Sequence, residues 1–202
     1  MRRILLACLC LAALASCVSV ESRLAIRGDG SGTLTLAYRI PRAVADLGRS
    51  SDARATVPLP VAKTDFLRGL AGVPGVRLAR YRRQLTETDV SVRAEIAFDR
   101  VENLAAVPAL RDAGLSLVES AGRRTLTQVV AAAPELPPTA EGIAMADALL
   151  EGGACTVVVE TPSPMTAGSV GVLSADRRTL TWASTARELA RRTASVVMTA
   201  TW

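Results

Sequence analysis

The chain is 202 residues long, half hydrophobic but only 3% aromatic, with a formal charge of +5 and no histidine. The missing histidine removes the commonest general base and metal ligand together, and so mild a positive balance does not argue for nucleic acid. Lys63 is the one lysine among 24 basic residues, a bias that a genome of high GC content explains without a guanidinium-specific role.

Met1-Arg2-Arg3 is a short cationic start, and Ile4 to Leu14 follow as eleven residues without charge. That is the length of a signal-peptide core and too short to cross a bilayer, which needs about 20 residues. Leu14-Ala15-Ser16-Cys17 then matches a lipobox. Leu14, Ala15 and Ser16 suit recognition by the lipoprotein signal peptidase, and the Cys17 thiol accepts a thioether-linked diacylglycerol before cleavage. The plain alternative is an ordinary signal peptide in which Ala15 and Cys17 are incidental. Removal of residues 1–16 leaves 186 residues, with a formal charge of +3, enough for a single domain over 17–202. Of the four cysteines, Cys8 and Cys10 leave with the signal and Cys17 is consumed by lipid. Cys155 is left without a partner, so no intramolecular disulfide is expected. It falls in the strand-like run Ala154–Val159, and no neighbouring base or cation marks it as reactive.

Beyond the anchor the pattern is of hairpins separated by short helices. Val18 to Arg27 and Thr33 to Ile40 alternate as strands around the turn Gly28-Asp29-Gly30-Ser31-Gly32. Residues 41–61 read as irregular, with Pro58 and Pro60 as breakers. A helix is predicted over Thr64 to Ala71 with Thr64 as N-cap, then strands Val76 to Leu85 and Val90 to Phe98. The latter alternates most cleanly, with Val90, Val92, Ala94, Ile96 and Phe98 on one face. A helix in Val101–Ala113, interrupted or restarted at Pro108, leads to Leu115–Glu119 and Thr125–Ala132. A helix from Thr139 to Glu151 leads to Cys155–Thr161 and Thr179–Ala183, and a last helix, Thr185 to Arg192, precedes the strand Ala194 to Trp202. Thr-Leu-Thr recurs at 33–35, 125–127 and 179–181, without a constant period; it suits the second strand of a hairpin. Hairpins joined through helices predict an α+β fold, an antiparallel sheet covered on one face by short helices.

The lipobox, the strand that follows it at once, the Asp29-Gly30-Ser31-Gly32 turn with its threonine-rich return strand, and the late strand Arg178-Thr179-Leu180-Thr181-Trp182 resemble the LppM-type lipoproteins. The resemblance covers the chain beyond the signal loosely and is specific at its two ends. It implies an α+β envelope lipoprotein that binds a lipid or glycolipid rather than catalysing a reaction, held in the cell membrane or outer membrane and facing the periplasm or exterior. Many members continue into a C-terminal transmembrane helix. Here the sequence reaches Trp202 with no apolar segment of spanning length, so the lipid on Cys17 is expected to be the anchor.

Arg77, Arg80, Arg82 and Arg83 crowd one strand around Tyr81. They are candidate contacts for anionic headgroups, against the simpler reading of a solvated strand face. Arg187, Arg191 and Arg192 sit near a helix C-terminus, where the macrodipole accounts for them. Asp29 alone does not supply the six to eight oxygens calcium takes, and Glu87 and Asp89 sit at a hairpin tip. No serine lies in a nucleophile elbow, no phosphate loop or CxxC pair is present beyond the signal, and neither an enzyme nor a cofactor is expected. The long Pro162–Asp176 connection either gates a cavity or contacts a partner, or is a surface hairpin. The expected partners are a membrane, through the lipidated cysteine, and a lipid or glycolipid. The alternative is a scaffolding lipoprotein whose sheet edge or Pro162–Asp176 loop docks an envelope complex. In cells fed labelled palmitate, Cys17→Ala is expected to abolish label in this protein. Label retained by the variant refutes the lipobox assignment.

Overall fold

The computed structural model describes residues 19–42, 45, 59–134, 139–141, 143–144 and 152–202. The lipobox Leu14 to Cys17, and most of the helix expected over Thr139 to Glu151, lie outside the described residues.

β1 (Ser19–Ile26) and β2 (Gly32–Pro41) form the predicted hairpin, with Leu24 opposite Leu34. Its turn is made by Asp29, whose Oδ1 accepts from the Ser31 backbone N–H at 2.9 Å and from the Ser31 hydroxyl at 2.7 Å. These bonds favour the ionised form and hold the Asp29 carboxyl below its usual range. The helix α1 (Lys63–Leu70) starts one residue earlier than predicted. Thr64 is not its cap: the Asp65 carboxylate reaches back to the Ala62 backbone N–H at 2.9 Å, which satisfies one of the orphan donors of the first turn. β3 (Val76–Leu85) and β4 (Asp89–Phe98) pair as expected. An α-helix over 101–113 does not form. Two 3-10 helices, Val101–Ala106 and Pro108–Ala113, take its place, because Pro108 has no N–H to donate and disfavours helical backbone at Val107, which is extended at φ −71° and ψ 120°.

β5 (Ser116–Ser120) and β6 (Arg123–Ala131) are a second hairpin, followed by β7 (Ala154–Glu160), β8 (Ala167–Gly168), β9 (Val172–Leu173), β10 (Thr179–Thr185), α2 (Ala186–Ala190) and β11 (Val196–Thr201). α2 opens with a full capping box: Thr185 Oγ1 accepts from the Glu188 N–H, and Glu188 returns an acceptor to the Thr185 N–H. Among the described residues the strands make a seven-stranded sheet, β3-β4-β2-β1-β7-β10-β9, and a four-stranded antiparallel sheet, β5-β6-β11-β8. The fold is α+β and its local pairs are hairpins. The larger sheet is mixed rather than wholly antiparallel, because β1 and β7 run parallel, Ser19 to Ala25 opposite Ala154 to Glu160. That pairing joins segments 135 residues apart, a contact that no local alternation signals.

One core serves both sheets. Leu24, Leu34, Val90, Ile96 and Phe98 of the larger sheet belong to the same buried cluster as Leu126, Met198 and Ala200 of the smaller. The Thr-Leu-Thr strands share one device: Leu34, Leu126 and Leu180 are buried while their flanking threonines face the other way, half-buried. The 162–176 connection is stapled to both sheets. β8 pairs with β11, β9 pairs with β10, and Met165 between them is 1% exposed. Cys155 sits half-buried, facing the core side of β7; burial pushes its thiol up and leaves it a poor nucleophile.

Gly32 is the tightest point of the first hairpin. A Cβ there would collide with the Ala25 carbonyl and lie 2.5 Å from Phe98 Cζ, the ring of its register partner on β4. Gly32→Ala is therefore expected to lower stability by roughly 1–3 kcal/mol or more. Gly69→Ala in α1, where a Cβ meets nothing within 4 Å, is expected to raise it by about 0.4–1 kcal/mol. Urea midpoints of the two variants check both signs.

Candidate functional site

β3 carries a bulge between Leu78 and Arg80. The extra residue, Ala79, shifts the alternation, so Val76, Leu78, Tyr81 and Arg83 turn toward the core side while Arg77, Arg80 and Arg82 face outward. The four arginines are thus divided. Arg80 lies 3.6 Å from Glu95 on the outer face, and Arg82 stands opposite Arg93 on β4. Arg83 is on the other side of the sheet, rather than beside Arg80 and Arg82 at the mouth of one common groove.

There it lines an apolar groove of about 540 Å³. The floor is the inner face of β2, β4 and β3, with Leu36 and Ile96. The walls are the 59–62 segment, α1 with Phe66 and Leu70, and the 3-10 region around Val107 and Leu110. Phe66 packs on Tyr81 with ring centroids 5.7 Å apart, tilted at 59°. The chain has two tyrosines, and both hold this wall. The Tyr38 hydroxyl donates to the Pro60 carbonyl, and the Tyr81 hydroxyl to the Val61 carbonyl at 2.7 Å. Two phenols, on β2 and β3 either side of β4, thereby strap a proline-bearing segment across the sheet.

Arg83 Nε and Nη2 are buried and have no hydrogen-bond acceptor among the described residues. These two nitrogens form the side-on edge of the guanidinium, the edge that makes paired N–H···O bonds to a carboxylate or phosphate. A buried N–H left without an acceptor costs about 1–3 kcal/mol, and such a group in a folded protein calls for a reason. Among the described residues the groove has one carboxylate in its lining, Asp65, and that is committed to the Ala62 N–H and to Arg68, 3.7 Å away. Composition and spacing had no means of separating Arg83 from its neighbours. The bulge at Ala79 is what does so, and a lone alanine carries no bulge signature.

Among the described residues no group of three or more Cys, Asp or Glu side chains is arranged to hold a metal ion, and no helix is long and apolar enough to cross a membrane. Burial raises the pKa of both phenols: Tyr38 is pushed well above its ordinary 10.0. Tyr81 is raised as well, by burial and by the Asp65 charge against the opposing pull of Arg83. The fold binds the phenolic proton more tightly than the unfolded chain does. The stabilisation is complete below pH 10 and is lost as pH climbs past the unfolded value toward the folded ones. Ultraviolet titration is therefore expected to find less tyrosinate in the folded protein than in the urea-unfolded chain at pH 10, where the latter is about half ionised. Tyr81→Phe, which leaves the Val61 carbonyl without its donor, is expected to cost about 1 kcal/mol.

No protein-family model matches the chain, and no curated protein matches it by sequence. Its fold is similar to a solved one. The NMR structure of the folded domain of LppM from Mycobacterium tuberculosis superimposes with a TM-score of 0.50 at 13% identity, covering 91% of this chain and 88% of that domain. The chain has an LppM-like fold.

Proposed function

We propose that this is a non-enzymatic, lipid-anchored protein of the bacterial envelope that binds a lipid or glycolipid in the groove beneath α1. The observation that carries the reading is the orphaned edge of Arg83 at the wall of an apolar groove. Apolar walls take up acyl chain, which gains about 0.8 kcal/mol per buried CH₂, and the guanidinium edge lacks the acceptor that a phosphate or carboxylate headgroup brings. The lipobox and the likeness to the LppM folded domain support an envelope setting. Val107 and Leu110, on the 3-10 turns, complete the apolar wall opposite α1.

The test separates binding from scaffolding. Native mass spectrometry of the unlipidated 18–202 fragment, purified from bacterial cells under mild conditions, is expected to show a co-purifying lipid. An empty protein favours an envelope scaffold instead. Arg83→Met is expected to lose most of that lipid yet to unfold at the same or a higher temperature, since the substitution removes two buried N–H groups that have no acceptor among the described residues and keeps an apolar stem in the groove wall. A variant that loses stability while keeping its lipid would make Arg83 a structural residue and remove the main support for the groove.

A further inference from the structure

We infer that the outward face of the seven-stranded sheet, at the end where β1 begins, is a docking surface for the anionic headgroups of a phospholipid bilayer. The register aligns this face into rows across the strands. The first row runs Ala154, Ser19, Arg39, Ser91 and Gln84; the second runs Thr156, Glu21, Ala37, Arg93 and Arg82. Arg39, Arg82 and Arg93 are all exposed and share a concavity of about 400 Å³. Arg82 and Arg93 are direct cross-strand partners, an arrangement that like charges make unfavourable.

The carboxylates nearby do not balance the three. Glu21 is in the second row. Glu95, one row further, is shared between Arg80 and Arg93 at 3.6 and 4.0 Å. Asp89, one row before, is already engaged by other groups. Arg39 and Arg82 have no ion-pair partner among the described residues. Toward the other end of the same face Glu160 pairs with Arg23. The first two rows, at the end where β1 begins, thus carry three arginines against one carboxylate, Glu21, among the described residues.

That end is also the anchored end. Ser19 lies at the rim of the concavity, two residues beyond Cys17, and two residues of chain span at most about 7 Å. A lipid on Cys17 would hold Arg39, Arg82 and Arg93 at the depth of the headgroups, where each basic side chain adds attraction to an anionic leaflet. This step rests on the lipid anchor proposed above. It does not rest on the groove.

The experiment is co-sedimentation of the unlipidated 18–202 fragment with vesicles of phosphatidylcholine alone and of phosphatidylcholine with phosphatidylglycerol. Without the anchor, binding reports the protein surface. Wild type is expected to sediment with the anionic vesicles at low salt, less in 1 M salt, where the screening length falls to about 3 Å, and not with the neutral ones. Arg39→Gln/Arg82→Gln/Arg93→Gln is expected to weaken binding on the order of fivefold per arginine, about a hundredfold in all. A variant with the same loss of charge at the far end, Arg77→Gln/Arg100→Gln/Arg178→Gln, is expected to bind as wild type does, which shows that place and not net charge decides. Arg83→Gln is expected to keep vesicle binding whatever it does to a retained lipid, so failure of the groove and failure of the docking face are read separately. Wild type that ignores anionic vesicles at low salt, or equal losses in the two triple variants, overturns the proposal.

Discussion

The parallel pairing of β1 with β7 is the contact on which the rest of the molecule depends. Each half of the chain makes hairpins by itself: β1–β2 and β3–β4 before it, β5–β6 and the β7–β10 pair after it. A hairpin alone is marginal in water, and stability requires three or more strands sharing an apolar face. Setting Leu24 beside Val159 brings Val157, Val159, Leu180 and Trp182 onto the inner face begun by Leu24, Leu34 and Ile96. It also draws β10 and the stapled 162–176 connection into place, and through β8 it ties the smaller sheet to the larger. The loop that this contact closes is long, yet each doubling of loop length adds only about 0.6 kcal/mol to the closure cost. A single register thus organises both sheets around one core.

Most of the local structure is legible in the sequence, because hairpins write their own signature. The Gly-rich turn around Asp29, the alternation of Val90 to Phe98 and the capping box of Thr185 and Glu188 depend on residues a few positions apart. The places where reading the sequence departs from the structure have a physical pattern. Pro108 lies inside an apolar period that suits a helix, and its missing N–H converts that helix into two 3-10 turns. The β1–β7 pair is invisible because each strand carries the same alternation whether its neighbour runs parallel or antiparallel. β8 and β9 are two residues each, too short for any period.

The candidate site shows the same limit more sharply. The arginine-rich strand stands out in the sequence, and so does Tyr81 at its centre. Which side each arginine faces is decided by Ala79. Unbroken alternation from Leu78 would put Arg80 and Arg82 on the core side; the bulge puts Tyr81 and Arg83 there instead. One inserted residue reverses the face of everything beyond it. The consequence is chemical as well as geometric. Tyr81 gains the Val61 carbonyl and the Phe66 ring, Arg83 loses water along one edge, and Arg82 is set against Arg93 in the open.

The bulge also places the groove and the exposed arginines back to back on the edge strand of the larger sheet, since among the described residues β3 has a neighbour only in β4. Consecutive residues of that edge, Arg82 and Arg83, point to opposite faces. If the outer face lies on headgroups at the anchored end and the groove takes lipid as proposed, an amphiphile leaving the bilayer would pass round the β3 edge. Its charged group then moves from one guanidinium toward the next while its chain exchanges lipid for the apolar wall of Phe66, Leu70 and Ile96. Such a path keeps an anion near a positive charge throughout, where a neutral strand at the edge would force it through a region with no counter-charge. Arginine suits both ends of it, because the guanidinium stays charged in a dry setting and its planar edge binds phosphate in two parallel bonds, neither of which lysine matches.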